Sequence, residues 1–290
     1  MKLLKGYIFA ILSAVIYGLM PLMATHIYAD GVNAMTLVLL RNLLALPALA
    51  ILAFCQQKTL KVPVKSLGGT VFLAAFGCCI TPVLLFSAYN YIPSGTVTTI
   101  HFVYPAVVVL IGILFLKKKA QLGTILSLAL CVGGIALFYK PGADFHWGGA
   151  GIALLSGVTF AVYVVLLPVL RHKDVTGFLF TFYVALCSAV MMAVVCFATG
   201  QLALPQSLTG WGLCTLFALG VTCGAVVLFQ QGTFLIGPEK ASILSTFEPI
   251  TSVVVGVAFM EEVIGFRDYL GIVLVLAASV LIAVMDMKKK

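Results

Sequence analysis

The chain has 290 residues, of which 62% are apolar and 9% charged, where a soluble domain averages roughly 45 to 50% apolar and about 25% charged. No water-soluble fold can hide that much apolar surface. The formal net charge of +8 does not point to nucleic acid, because the basic residues stand in small clusters between apolar runs and do not interleave with aromatics on one face.

In chain order, apolar runs fall at 6–27, 33–55, 67–90, 94–116, 120–139, 147–170, 176–199, 208–235, 241–260 and 267–286. A crossing of the hydrocarbon core takes about 20 apolar residues, so each run predicts one transmembrane helix and the chain is expected to be an all-α membrane protein of ten. The breaks between runs are short: Ala29-Asp30-Gly31, the lysines 58, 61 and 65 around Pro63, Ile92-Pro93-Ser94-Gly95, Lys117-Lys118-Lys119, Lys140-Pro141-Gly142, Arg171-His172-Lys173-Asp174, Gly200 to Ser207, and Gly237-Pro238. None leaves room for an extramembrane domain. Lys2 and Lys5 precede a first run with no A-x-A cleavage site, so that run is read as a helix and not as a signal peptide. The eight cysteines lie in or at the ends of apolar runs without a metal-type C-x-x-C pair. They read as reduced, small apolar residues, and no cofactor is expected.

Lysine and arginine in the loops set the expected orientation. With the N-terminus inside, fourteen of the seventeen basic residues fall on the cytoplasmic side, Lys140 and Arg267 fall outside, and Arg41 lies within a helix. The lysine-rich C-terminus then also lies inside, which an odd number of crossings would forbid. A bacterial inner membrane with both termini cytoplasmic is the expected location.

The chain also repeats itself. An offset of 143 pairs Gly6 with Gly149, Ser13 with Ser156, and Leu84-Leu85-Phe86 with Val227-Leu228-Phe229. An offset of 144 pairs Pro105 with Pro249 and Gly112 with Gly256. Two five-helix halves, 5–140 and 147–287, are therefore expected. Each half has an odd number of helices, so the second must enter from the opposite face, giving an inverted repeat. Lys117 to Lys119 after helix 4 and Glu261-Glu262 after helix 9 agree with that inversion.

Ser13-Ala14-Val15-Ile16-Tyr17-Gly18, Leu40-Arg41-Asn42, Tyr104-Pro105, Glu248-Pro249 and Met260-Glu261-Glu262 occur in that order and spacing. On these motifs the chain resembles the EamA-type carriers of the drug/metabolite transporter superfamily over nearly its whole length. It departs from them at Tyr17, where such proteins often have Trp, and at Lys117-Lys118-Lys119, where many have Gly-Glu. The resemblance implies a transporter, and export as its direction.

An ionisable group at bilayer depth is a functional-site hypothesis. Arg41 and Glu248 qualify, lying eight and seven residues into helices 2 and 9, roughly 12 and 10 Å deep at 1.5 Å per residue. Glu248 can carry a proton or anchor a substrate ammonium, or can be a structural partner for a buried cation. Arg41 can clamp a carboxylate, or snorkel and pair structurally. At the 144 offset Thr98, His101 and Tyr104 map onto Ser242, Ser245 and Glu248. Both triplets are spaced i, i+3, i+6, and so form two polar stripes facing a shared centre. Pro105 and Pro249, just after the stripes, are candidate hinges. Tyr89, Asn90, Gln230 and Gln231 can line the pathway or serve as interhelical glue.

The expected function is a secondary active carrier of small amphipathic metabolites, such as amino acids, working by alternating access with protons as a possible coupling ion. An uncoupled channel-like facilitator is the alternative; it would need a continuous polar lining, and only a few polar groups lie near mid-membrane. H-E-x-x-H, G-x-S-x-G and Walker loops are absent, so neither an enzyme nor ATP drive is expected.

Overall fold

The computed structural model describes residues 2–62, 67–92, 94–117, 121–137, 146–171, 175, 177–260 and 265–287. The expectations for Lys65, Pro93, Lys118-Lys119, Lys140-Pro141-Gly142, His172 to Asp174, Glu261-Glu262 and the three C-terminal lysines fall outside them. Among the described residues every expected apolar run is helical and no strand occurs.

The helices are α1 (Lys2–Ala29), α2 (Ala34–Gln57), α3 (Leu67–Ala88), α4 (Ser94–His101 then Tyr104–Leu114), α5 (Leu122–Leu137), α6 (Trp147–Leu170), α7 (Gly177–Thr199), α8 (Leu208–Ile236), α9 (Pro238–Leu244 then Phe247–Met260) and α10 (Phe266–Met287). Seven of these regions are long and apolar enough to cross a membrane by length and composition; α5, at 16 residues, is shorter.

The polarity of the bundle is that of a membrane protein. Large apolar side chains such as Phe54, Leu122, Phe197 and Val194 are exposed, while Arg41, Asn42, Gln230 and Glu248 are buried. In lipid, backbone groups must be satisfied within the protein, and the irregular stretches of these helices lie against neighbouring helices. α1 breaks at Gly18-Leu19, α2 at Leu44-Ala45, α4 at Phe102-Val103 and α9 at Ser245-Thr246. Both α3 and α8 contain a π-helical stretch, Ala74–Ile80 and Ala218–Val226. The π stretch of α8 supplies donors to the broken region of α2: Thr222 Oγ1 donates to the Arg41 carbonyl at 3.0 Å and Cys223 Sγ to the Ala45 carbonyl at 3.6 Å.

α1 packs on α8 and α3 on α6, α2 packs on α7, α5 on α10, and α4 on both α6 and α9, while α1 also meets α9. Small residues set the closest approaches. A Cβ on Gly134 of α5 would lie 2.9 Å from the Gly271 carbonyl of α10.

Two straps tie the ends of α2 to α7 and its flanks. At one end residues 201–207 run without helix between α7 and α8. The Asp30 carboxylate accepts the backbone N–H groups of Gln206 (2.9 Å) and Ser207 (3.2 Å). Asn33 Nδ2 donates to the Gln201 carbonyl at 2.7 Å, and Thr36 Oγ1 accepts the Ala203 N–H at 2.9 Å. At the other end of α2, Gln56 Oε1 accepts the Phe178 N–H (3.1 Å) and the Tyr183 hydroxyl donates to the Leu60 carbonyl (2.7 Å).

Candidate functional site

The breaks in α1, α4 and α9 bring their polar residues to a common centre. Pro105 has no N–H to offer the His101 carbonyl one turn earlier. That carbonyl is instead approached by α6 at Gly157, where an added Cβ would lie 2.6 Å away. In α9 Pro249 likewise has no N–H for the Ser245 carbonyl, which accepts the Glu248 N–H at 2.9 Å instead. α1 can come against this part of α9 because position 18 is glycine: the Ser252 hydroxyl donates to the Gly18 carbonyl at 3.0 Å.

At this centre lies a cavity of about 40 Å³, counted as the space that water centres can occupy. Arg41, His101, Tyr104, Ser245 and Glu248 all line it, together with Tyr17, Thr81 and the rings of Phe86, Phe160 and Phe229. One water centre needs roughly 10 to 15 Å³ on this measure, so the space holds a few waters.

Arg41 is 4% exposed and Glu248 8% exposed, yet no salt bridge joins either to a described residue. The Arg41 guanidinium contacts the Cys78 thiol, and its Nε has no partner. Tyr17 lies within electrostatic range of both charges. His101 Nδ1 is 2.8 Å from Ser156 Oγ, and the His101 ring packs at 5.5 Å from that of Tyr104. The Tyr104 hydroxyl reaches the Ser242 carbonyl at 3.5 Å.

The other sequence-predicted site residues lie elsewhere. Thr98 is buried in α4 and hydrogen-bonded to Tyr89 at the end of α3, and Tyr89 lies within electrostatic range of Glu248. Asn90 is exposed beyond the end of α3. Gln230 does not line the cavity. Its Nε2 donates to the Tyr163 hydroxyl (3.0 Å) and its Oε1 accepts from Thr181 (2.6 Å), so it joins α8 to α6 and α7.

Sequence reasoning did not single out Tyr17 as a site residue, nor Thr81, Ser156 and Phe160. Tyr17 carried a signal, since it is the position at which the helix 1 motif departs from its usual Trp. Thr81 carried a weaker one: Thr81-Pro82 interrupts an otherwise apolar run.

Comparison with known proteins agrees with this architecture. The model of the EamA-like transporter family matches residues 4–140 and again 147–284. An uncharacterized transporter of Bacillus subtilis (strain 168), YwfM, is 28% identical over 226 residues, 76% of this chain and 75% of that protein. An uncharacterized transporter of Archaeoglobus fulgidus is 27% identical over 278 residues, 94% of each chain. The protein PagO of Salmonella typhimurium is 27% identical over 165 residues, 56% of this chain and 53% of that one. A solved crystal structure shares the fold, with a TM-score of 0.79 at 15% identity over 98% of both chains. With two family matches that together span nearly the whole sequence, the chain is a multi-pass membrane protein that belongs to the EamA-like transporter family.

Proposed function

We propose that the protein is a secondary active carrier of small amphipathic metabolites, coupled to protons through Glu248 and working by alternating access. The observation that carries this reading is the placement of Arg41 and Glu248, opposite in charge and in no salt bridge with a described residue, on one central cavity. A buried charge without a partner is costly, and a ligand or a proton removes that cost. Export is the direction that the family resemblance implies.

The architecture proposed with this function is ten crossings in two inverted five-helix halves, with both termini on the cytoplasmic side of a bacterial inner membrane. The two π-helical stretches start 144 residues apart, at Ala74 and Ala218. The breaks in α4 and α9 are also one repeat apart. The packing pairs suit the same relation, since α1 with α8 and α3 with α6 exchange under a swap of halves, while α2 with α7, α5 with α10 and α4 with α9 map onto themselves. The straps at the two ends of α2 are exchanged likewise.

Counterflow in proteoliposomes against a metabolite panel, with and without a pH gradient, tests the reading. Exchange of at least one preloaded solute, accelerated by a pH gradient, is expected. Solute flux that does not saturate and shows no exchange would make the protein a channel.

A further inference from the structure

Arg41 is held from both halves of the chain. The break of α2 at Leu44-Ala45 comes just before Pro47, which has no N–H for the Leu43 carbonyl. Ahead of that break the Arg41 carbonyl accepts the Thr222 hydroxyl, at 3.0 Å, from the π stretch of α8. The Arg41 guanidinium meets the thiol of Cys78, in the π stretch of α3. Cys78 and Thr222 are both buried and are one repeat apart, at the offset of 144. The residues that follow them behave alike: Cys79 Sγ donates to the Ser188 carbonyl of α7 and Cys223 Sγ to the Ala45 carbonyl of α2, both at 3.6 Å. Two equivalent π stretches thus grip the pair formed by α2 and α7. At Arg41 one of them takes the backbone and the other the side chain.

The Cys78 end of this grip is itself fixed. The Cys78 carbonyl accepts the Ser188 hydroxyl at 3.0 Å and lies 3.4 Å from Asn42 Nδ2, which also donates to Ser188 Oγ at 3.0 Å. α2 and α7 therefore set the backbone of the residue whose thiol faces Arg41, and the side chain next to Arg41 takes part. Such restraint is needed, because an arginine is rich in rotamers and at bilayer depth can snorkel to an interface. A thiol is also a weak hydrogen-bonding partner, so the guanidinium can leave Cys78 for a stronger acceptor on a solute.

Resting on the carrier reading above, we propose that Cys78 and Thr222 are positioning residues that together aim the Arg41 guanidinium into the cavity, one from each half of the chain. Thr222 sets where the break of α2 leaves the Arg41 backbone, and Cys78 sets the direction of the head group, whose Nε is buried without a partner. Neither residue lines the cavity, so both act on a solute through Arg41. Since the two grips come from opposite halves, a shift of either α3 or α8 alters the aim of the charge.

The chain has three arginines, Arg41, Arg171 and Arg267, so full-length protein labelled with 15N-arginine in lipid nanodiscs gives three Nε–Hε signals. Arg41→Lys removes one of them and so identifies it. That signal should be single and sharp in the wild type and should broaden or split in Cys78→Ala and in Thr222→Val, with Arg171 and Arg267 unchanged. Cys78→Ser and Thr222→Ser, which keep a hydrogen-bonding atom, should restore it. In counterflow of the panel solute that the wild type exchanges fastest, Cys78→Ala and Thr222→Val should raise KM by about three- to tenfold and keep the maximal rate. Cys78→Val and Thr222→Ala replace a variant that does not give monodisperse protein. An Arg41 signal that is unchanged in either variant, or not restored by serine, overturns the proposal. So does a change in all three signals together, a KM that does not rise, or a maximal rate that falls. If the wild type exchanges no solute, the carrier reading fails, and the Arg41 signal still decides whether these two residues position the side chain.

Discussion

Gly18 lies so close to Glu248 that a Cβ on it would come within 2.8 Å of the Glu248 carbonyl oxygen. The same Cβ would meet the Thr251 side chain at 2.5 Å, so α1 and α9 touch through a position where no larger residue fits. Gly18→Ala should therefore force the helices apart at the site and lower stability by about 1 to 3 kcal/mol. Thermal unfolding in detergent checks this against Gly133→Ala, whose added methyl meets nothing within 4 Å and should leave the protein as stable or slightly more so. Equal behaviour of the two variants would remove the packing argument.

The strap at Asp30 is sensitive to acid. The Ser207 side chain, helped by the backbone N–H groups of Ser207 and Gln206, holds the Asp30 carboxyl below its ordinary value. A lowered folded-state pKa means the contribution is complete above the unfolded value, about 3.9, and is lost as the pH falls through the folded one. The stability difference between wild type and Asp30→Asn should be constant from neutral pH down to about pH 5, begin to shrink near pH 4 and vanish only once the pH has fallen past the lowered folded-state value. A difference that instead changes between pH 6 and 8 would assign the effect to another group.

Gln230 is expected to act on folding and not on selectivity. Gln230→Leu strips the Tyr163 and Thr181 hydroxyls of their amide partner, at a cost of about 1 to 3 kcal/mol. The folded fraction should keep the wild-type order of preference among counterflow substrates. A changed order would place Gln230 in the substrate path.

Much of this site was legible in the residues themselves, and the exceptions have physical causes. Arg41 and Glu248 stood out because charge at bilayer depth is expensive, and His101, Tyr104 and Ser245 because helical spacing put them on stripes. Gln230 could not be placed that way. The π stretch Ala218–Val226 lies just before it in α8, and each extra residue in a π turn rotates the rest of the helix by about 100°. Asn90 failed for a simpler reason: it lies exposed past the end of α3 and away from the cavity lining. Tyr17 was hidden inside an apolar motif, as the last residue before the break of α1 at Gly18-Leu19, and nothing in its local sequence marks its nearness to the two charges.

Topology has its own test. Single cysteines placed at Lys58 and Gln201 in a cysteine-free background should label from opposite sides, Lys58 from the cytoplasm and Gln201 from outside. Both positions lie in non-helical stretches at opposite ends of α2, so accessibility does not depend on opening the bundle. Labelling of both from the same side would contradict the inverted arrangement.

Glu248 is where substrate and proton meet in the proposed cycle, and one variant tests it most directly. Glu248→Gln keeps the size of the side chain and removes its charge. In proteoliposomes holding monodisperse protein, transport driven by a pH gradient should be abolished. Counterflow should continue at raised substrate concentration, because exchange needs no net proton movement. Undiminished pH-driven transport by Glu248→Gln would contradict the coupling role and leave Glu248 as a packing residue.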